Sequence, residues 1–317
     1  MSNNYIVWGI FIFLIFIFLV SFLWWMFHKM VYNPSKKHVW LPEDDYEDLY
    51  IEVGSGSKNS PRRTPRRNRI NCWHFNKYPG AKTILFFHGN YGNISHRQYI
   101  IDICKKFKVN LFLPDYRGYG KSGPPTSINS MLDDAESAYN QLRTKVSSED
   151  IIVWGESLGG CAAAHVASKN PCWMLILMCT FSSVGEILSE RTDKKSFYSA
   201  LGWSANIPGR NFLIKEKLKK VKIPVVIIHS SEDELIPYRC AQINYNSIKH
   251  SCKKLYKIKG GHASPDIEER QMAEIFTYVG LIPLCEKDNV DLSDIVCQLK
   301  DLGEYVEKLD AANGGDA

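Results

Sequence analysis

Three residues of this chain have the types and the order that nucleophilic acyl transfer requires: Ser157, Asp233 and His262. A serine hydroxyl is a poor nucleophile until a base takes its proton, and the base works well only when a carboxylate orients it. Ser157 lies in Gly155-Glu156-Ser157-Leu158-Gly159, directly after the apolar run 151–154. A strand feeding a G-x-S-x-G turn that opens a helix presents the hydroxyl on a sharp elbow, where side chains in place of the glycines would crowd the strand or the helix. The five-residue match is weak by itself. The strand before it and the small-residue run Leu158-Gly159-Gly160-Cys161-Ala162-Ala163-Ala164 after it make it specific.

The acid and the base must reach the same place. Ser230-Ser231-Glu232-Asp233-Glu234 follows the apolar run 225–229, and Lys259-Gly260-Gly261-His262 follows the run 253–258. Both therefore arrive just past strand ends, at the carboxyl edge of a sheet, where open α/β folds build their sites. Asp233 is preferred to Glu232 and Glu234, either of which would serve only if the turn shifted by one residue. Of the nine histidines, only His262 follows the acid on a glycine-flanked loop; His250 is expected in a helix. Negative charge developing on a carbonyl oxygen needs N–H donors already in place. The backbone N–H groups of Leu158 and of Asn90, in Phe86-Phe87-His88-Gly89-Asn90, are the candidates, with His88 bracing the loop. Gly120-Lys121-Ser122 ends like a phosphate-binding loop, but Asp115 stands where its first glycine belongs, which argues against phosphate binding.

The elements that must hold these residues alternate. Apolar runs of strand length at 83–88, 109–115, 151–154, 173–179, 225–229 and 253–258 are separated by helical spacing at 97–107, 128–142 and 266–280. Such alternation implies an α/β fold with a mostly parallel sheet flanked by helices. Two further strands, 48–53 and 69–75, precede them, joined by a basic loop, 54–68. Residues 54–69 carry six basic side chains and no acid. Residues 180–222 interrupt the rhythm with Phe181, Phe197, Tyr198, Trp203 and Phe212, a candidate small cap over the site.

The ends differ from this middle. Residues 5–27 are uncharged and overwhelmingly apolar, long enough at 1.5 Å per residue to span a hydrocarbon core. Signal-peptide features, a basic start and a small-residue cleavage site, are missing, so 1–30 is expected to be a retained N-terminal transmembrane helix. Lys29, Lys36 and Lys37 follow it, which places the rest of this single-pass protein in the cytosol by the positive-inside bias. Residues 31–282 form the globular domain, and 283–317 an acidic helical tail with nine acids against three lysines from 286 onward. The net charge of +5 with no basic-aromatic interleaving gives no reason to expect nucleic acid as the main partner. Nine scattered cysteines without a C-x-x-C pair suit neither a disulfide framework nor a metal site. No cofactor is expected.

The blocks His88-Gly89-Asn90-Tyr91-Gly92-Asn93-Ile94-Ser95-His96-Arg97 and Asp115-Tyr116-Arg117-Gly118-Tyr119-Gly120-Lys121-Ser122-Gly123, with the Ser157 elbow, resemble one branch of the α/β-hydrolase superfamily. It is the branch of membrane-anchored α/β-hydrolase domain proteins that includes protein depalmitoylases and single-span relatives. The resemblance runs from about residue 48 to 281 and implies an α/β-hydrolase fold with Ser157 as nucleophile, Asp233 as acid and His262 as base. It implies hydrolysis of a carboxylic ester or thioester in an acylated protein or lipid at a membrane. Two features depart from the branch: residues 1–71 hold no cysteine to be palmitoylated, and Ala263-Ser264 follow the histidine where polar residues are common. A serine peptidase and a non-catalytic membrane scaffold are the alternatives.

Overall fold

The computed structural model describes residues 2–43, 45–53, 69–124, 126–190, 212–281 and 293. The basic loop 54–68, residues 191–211 of the expected cap and nearly all of the acidic tail lie outside the described residues.

Apolar runs become strands because they can be buried on both faces. The main strands are β1 (Glu47–Glu52), β2 (Arg69–Phe75), β3 (Thr83–Phe87), β4 (Asn110–Pro114), β5 (Ile151–Glu156), β6 (Met174–Met178), β7 (Val225–Ser230) and β8 (Lys253–Gly260). They lie in the order β8-β7-β6-β5-β3-β4-β2-β1, with the two-residue strand Pro265–Asp266 beyond β8. All pairings from β3 to β8 are parallel, whereas β2 runs antiparallel to both β4 and β1. The expected mostly parallel sheet is thus observed.

Side chains alternate between two cores, one on each face of the sheet. Leu85, Phe87, Val153 and Ile227 face one core, which Met131, Ala135 and Leu142 of α3 (Ile128–Arg143) and Ala163 of α4 (Gly159–Lys169) complete. Ile84, Phe86, Ile152 and Val226 face the other, filled by Ile100 of α2 (Gln98–Lys106) and Phe276 of α8 (Glu269–Tyr278). Short helices α5 (Val184–Glu190) and α6 (Ile214–Leu218) bracket the cap region, and Phe181 and Phe212 join the first core. Helix α7 (Tyr238–Ser247) ends before His250, contrary to expectation, because the backbone turns extended at Ile248.

Helix α1 (Ser2–Val31) is thirty residues long. Every described side chain from residue 7 to 22 is exposed. Among the described residues no helix is long and apolar enough to cross a membrane, the side chains of α1 being described without a break only over 7–22. The end of α1 is tied down: His28 Nε2 lies 3.1 Å from the Thr126 carbonyl, and Tyr32 is buried.

Candidate active site

The elbow at Ser157 exists because glycine surrounds it. Ser157 has φ +50°, a left-handed conformation that costs an L-residue energy and persists only where packing imposes it. A Cβ at Gly155 would lie 2.6 Å from Ala163 Cβ, and one at Gly159 would collide with the Phe87 carbonyl. Thr180 Oγ1 donates to the Ser157 carbonyl at 2.6 Å and fixes the turn from below. Ser157 stays mostly buried, 8% exposed.

The three sequence-selected side chains converge. Ser157 Oγ is 3.0 Å from His262 Nε2, and His262 Nδ1 is 2.7 Å from Asp233 Oδ2. The carboxylate accepts from Nδ1–H, so Nε2 presents its lone pair to the serine hydroxyl. Asp233 Oδ1 accepts from the N–H groups of Leu235 (2.9 Å) and Ile236 (2.6 Å), which hold the side chain in place. The flanking glutamates have other tasks: Glu232 accepts from Gly260 N–H and Glu234 from His262 N–H, both at 3.0 Å, tying the acid loop to the histidine loop. His229 Nε2 donates to the Ile236 carbonyl at 2.8 Å. Burial pushes this imidazole down, so it stands uncharged beside the Asp233 carboxylate.

The loop carrying Asn90 is pinned from several sides. His88 Nδ1 donates to the Gly89 carbonyl at 2.8 Å, while Tyr119 Oη donates to the Asn90 carbonyl at 2.8 Å. Trans peptides point N–H opposite to C=O, so the peptides on either side of the Asn90 Cα are both fixed. Neither Asn90 N–H nor Leu158 N–H has an acceptor among the described residues. Tyr116 Oη holds the His88 carbonyl at 3.0 Å. Asp115 is fully buried, with Oδ1 accepting from Ile94 N–H at 2.9 Å and lying 3.2 Å from His88 Nε2. The second sequence block therefore acts as a brace for the first. Lys121 pairs with Asp48 at 2.9 Å and Ser122 Oγ donates to the Asp115 carbonyl, so the phosphate-loop look-alike is occupied structurally.

Arg97 was not singled out by sequence, although it ends the first block. Its guanidinium is buried, donating to the Tyr91 carbonyl at 2.8 Å, and its Nε lies 3.6 Å from Glu156, which Tyr99 Oη also meets at 3.0 Å. This bridge locks the Asn90 loop to the elbow.

His96 of the same loop gives a pH signature. Asn93 N–H donates to its Nδ1 at 3.2 Å, and burial, then the neighbouring Arg97 and His88 charges, push its pKa down to about 3. Between its ordinary 6.5 and about 3 the unfolded chain binds a proton that the folded chain refuses, so stability falls as pH drops through that window. His96→Gln should relieve about 2 kcal/mol of the stability lost between pH 7 and pH 5. Urea midpoints of both proteins at the two pH values check this.

The buried thiols offer no rival nucleophile. All seven described cysteines are free and six are buried. Burial raises Cys161 to about 11 and Cys172 to about 12, and pushes Cys72, Cys104 and Cys179 up as well.

Sheet order and elbow together define a class of protein, the α/β-hydrolases, and a model of the alpha/beta hydrolase fold matches residues 82–193. The chain is 30% identical over 230 residues to alpha/beta hydrolase domain-containing protein WAV2 of Arabidopsis thaliana, covering 66% of this chain and 71% of that protein. It is 28% identical over 221 residues to human alpha/beta hydrolase domain-containing protein 17C, covering 68% of this chain and 64% of that one. The chain belongs to the α/β-hydrolase family. A solved esterase of Pyrococcus furiosus has the same fold, with a TM-score of 0.56 at 19% identity over 88% of this chain and 98% of that one.

Proposed function

We propose that the protein is a serine hydrolase, anchored in a membrane by α1, that cleaves carboxylic esters or thioesters of an acylated protein or lipid. The observation that carries this reading is the unbroken line from Ser157 Oγ through His262 to Asp233, at 3.0 and 2.7 Å. In this reading His262 Nε2 takes the Oγ proton as Oγ bonds to the acyl carbon, and the carbonyl electron pair moves onto oxygen. The N–H groups of Leu158 and Asn90 receive that oxyanion; a single such donor is worth about 3 kcal/mol. Collapse expels the alcohol or thiol, which takes the proton from His262. Water then repeats the sequence on the acyl-enzyme, releasing the carboxylic acid and restoring Ser157.

The anchor is supported by a long uncharged sequence, folded as α1, whose apolar side chains over 7–22 are exposed. An exposed apolar surface of that extent marks a membrane or protein contact. The basic flank favours a cytosolic domain. Tethering makes acyl groups borne by the same membrane the natural substrates.

Reaction of the full-length protein in native membranes with a fluorophosphonate tests the chemistry. One phosphonyl adduct on Ser157 is expected. An unmodified Ser157 would sink the enzyme reading and favour a scaffold. Initial rates on acyl-thioester, acyl-ester and peptide substrates then identify the bond cleaved, with the peptide expected to be slowest.

A further inference from the structure

The segment that leaves α1 does not hang free as a linker. Asn33–Pro34 pairs in parallel with Tyr91–Gly92. Asn33 N–H donates to the Asn90 carbonyl at 3.1 Å, and Ser35 N–H to the Gly92 carbonyl at 2.9 Å. The Asn93 side-chain amide donates to the carbonyls of Ser35 (3.1 Å) and Lys37 (2.7 Å), and Val39 N–H donates to Ser95 Oγ at 2.9 Å. From the other side Gly120 N–H reaches the Ser35 carbonyl at 2.9 Å, and Lys36 Nζ the Ser122 carbonyl at 3.0 Å. Residues 33–39 are thus stitched along the loop that carries Asn90.

We propose that residues 33–39 are a positioning strap for the oxyanion loop, so that the chain leaving the anchor helps set the donor at Asn90. The inference rests on reading Asn90 N–H as an oxyanion donor. Its physical basis is the pair of pinned peptides around Asn90. His88 holds the Gly89 carbonyl on one side, and Asn33 shares the Asn90 carbonyl with Tyr119 on the other. Releasing one pin lets the peptides at Asn90 rotate and the donor drift from where the oxyanion forms. A donor displaced by less than its full loss weakens the transition state while substrate binding elsewhere is untouched.

Asn33→Pro deletes the donated N–H, whereas Asn33→Ala keeps it and removes only an exposed side chain. With full-length protein and a soluble short-chain p-nitrophenyl ester, Asn33→Pro should lower kcat about tenfold at unchanged KM and Tm. Asn33→Ala should match the wild type. Ser35→Pro, which removes the next N–H of the pair, should give a smaller loss confined to kcat, and it stands as the test if Asn33→Pro does not fold. Wild-type kcat in both proline variants overturns the strap, as does an equal loss in Asn33→Ala or a loss shared by KM and Tm. A wild type inert to both ester and fluorophosphonate overturns the hydrolase reading itself, and is distinguishable because no variant is needed to see it.

Discussion

Asp233→Asn is expected to lower kcat about 10⁴-fold while leaving the fold intact. The asparagine oxygen can still accept from Leu235 and Ile236 N–H, so the loop keeps its shape. Its amide must then face His262 Nδ1 with donors where the carboxylate had offered an acceptor. The imidazole responds by placing its proton on Nε2, pointing it at Ser157 Oγ, and can no longer take the serine proton. Glu234→Gln is the matched control. It keeps an oxygen for His262 N–H and should cost less than tenfold, because Glu234 meets the histidine backbone. A comparable collapse in Glu234→Gln, or an active Asp233→Asn, would refute the assignment of the acid. Steady-state kinetics on one soluble ester decide it.

The second large effect is on stability. Asp115→Ala should destabilise the protein by about 3 kcal/mol, because it removes the fully buried carboxylate that accepts from Ile94 N–H and lies 3.2 Å from His88 Nε2. The His88 ring and the Ile94 N–H would face a cavity with no acceptor and no water-exposed route to one. Gly120 sharpens the point: it sits at φ +44° with no room for a Cβ beside Asp115 Oδ2, so the backbone is moulded around this carboxylate. Asp115→Asn keeps an oxygen for Ile94 and should lose less than half as much. Urea unfolding midpoints measure both. A loss below about 1 kcal/mol in Asp115→Ala would contradict the buried-pair account.

Sequence made the Ser157, Asp233 and His262 convergence legible because each follows an apolar run in a parallel sheet, and parallel strands deliver their ends to one edge. The elbow glycines were legible for the same reason. The neighbour order of the strands was not, since the crossover that sets β4 outside β3 leaves no trace in local periodicity. Contacts between distant residues were equally hidden. The Arg97–Glu156 bridge joins positions on two separate elements, and neither charge has a pattern of its own. Pairing of Asn33–Pro34 with Tyr91–Gly92 involves two residues a side, too few for an alternation signal. His250 was misplaced because polar helical spacing does not reveal where the backbone turns extended, here at Ile248.

The short path from Val31, the last residue of α1, to Asn33 has a consequence for reach. Two residues of extended chain cover about 7 Å, and the Asn33 N–H bond to the Asn90 carbonyl adds 3.1 Å. With α1 seated in a bilayer, the Asn90 peptide of the oxyanion loop would be held on a leash of about 10 Å from the end of the helix. Such an enzyme searches an area instead of a volume: bonds held close to the lipid headgroups collide with it repeatedly, and those carried high on a bulky soluble domain do not. Selectivity would then depend on altitude above the membrane as much as on the shape of the acyl group.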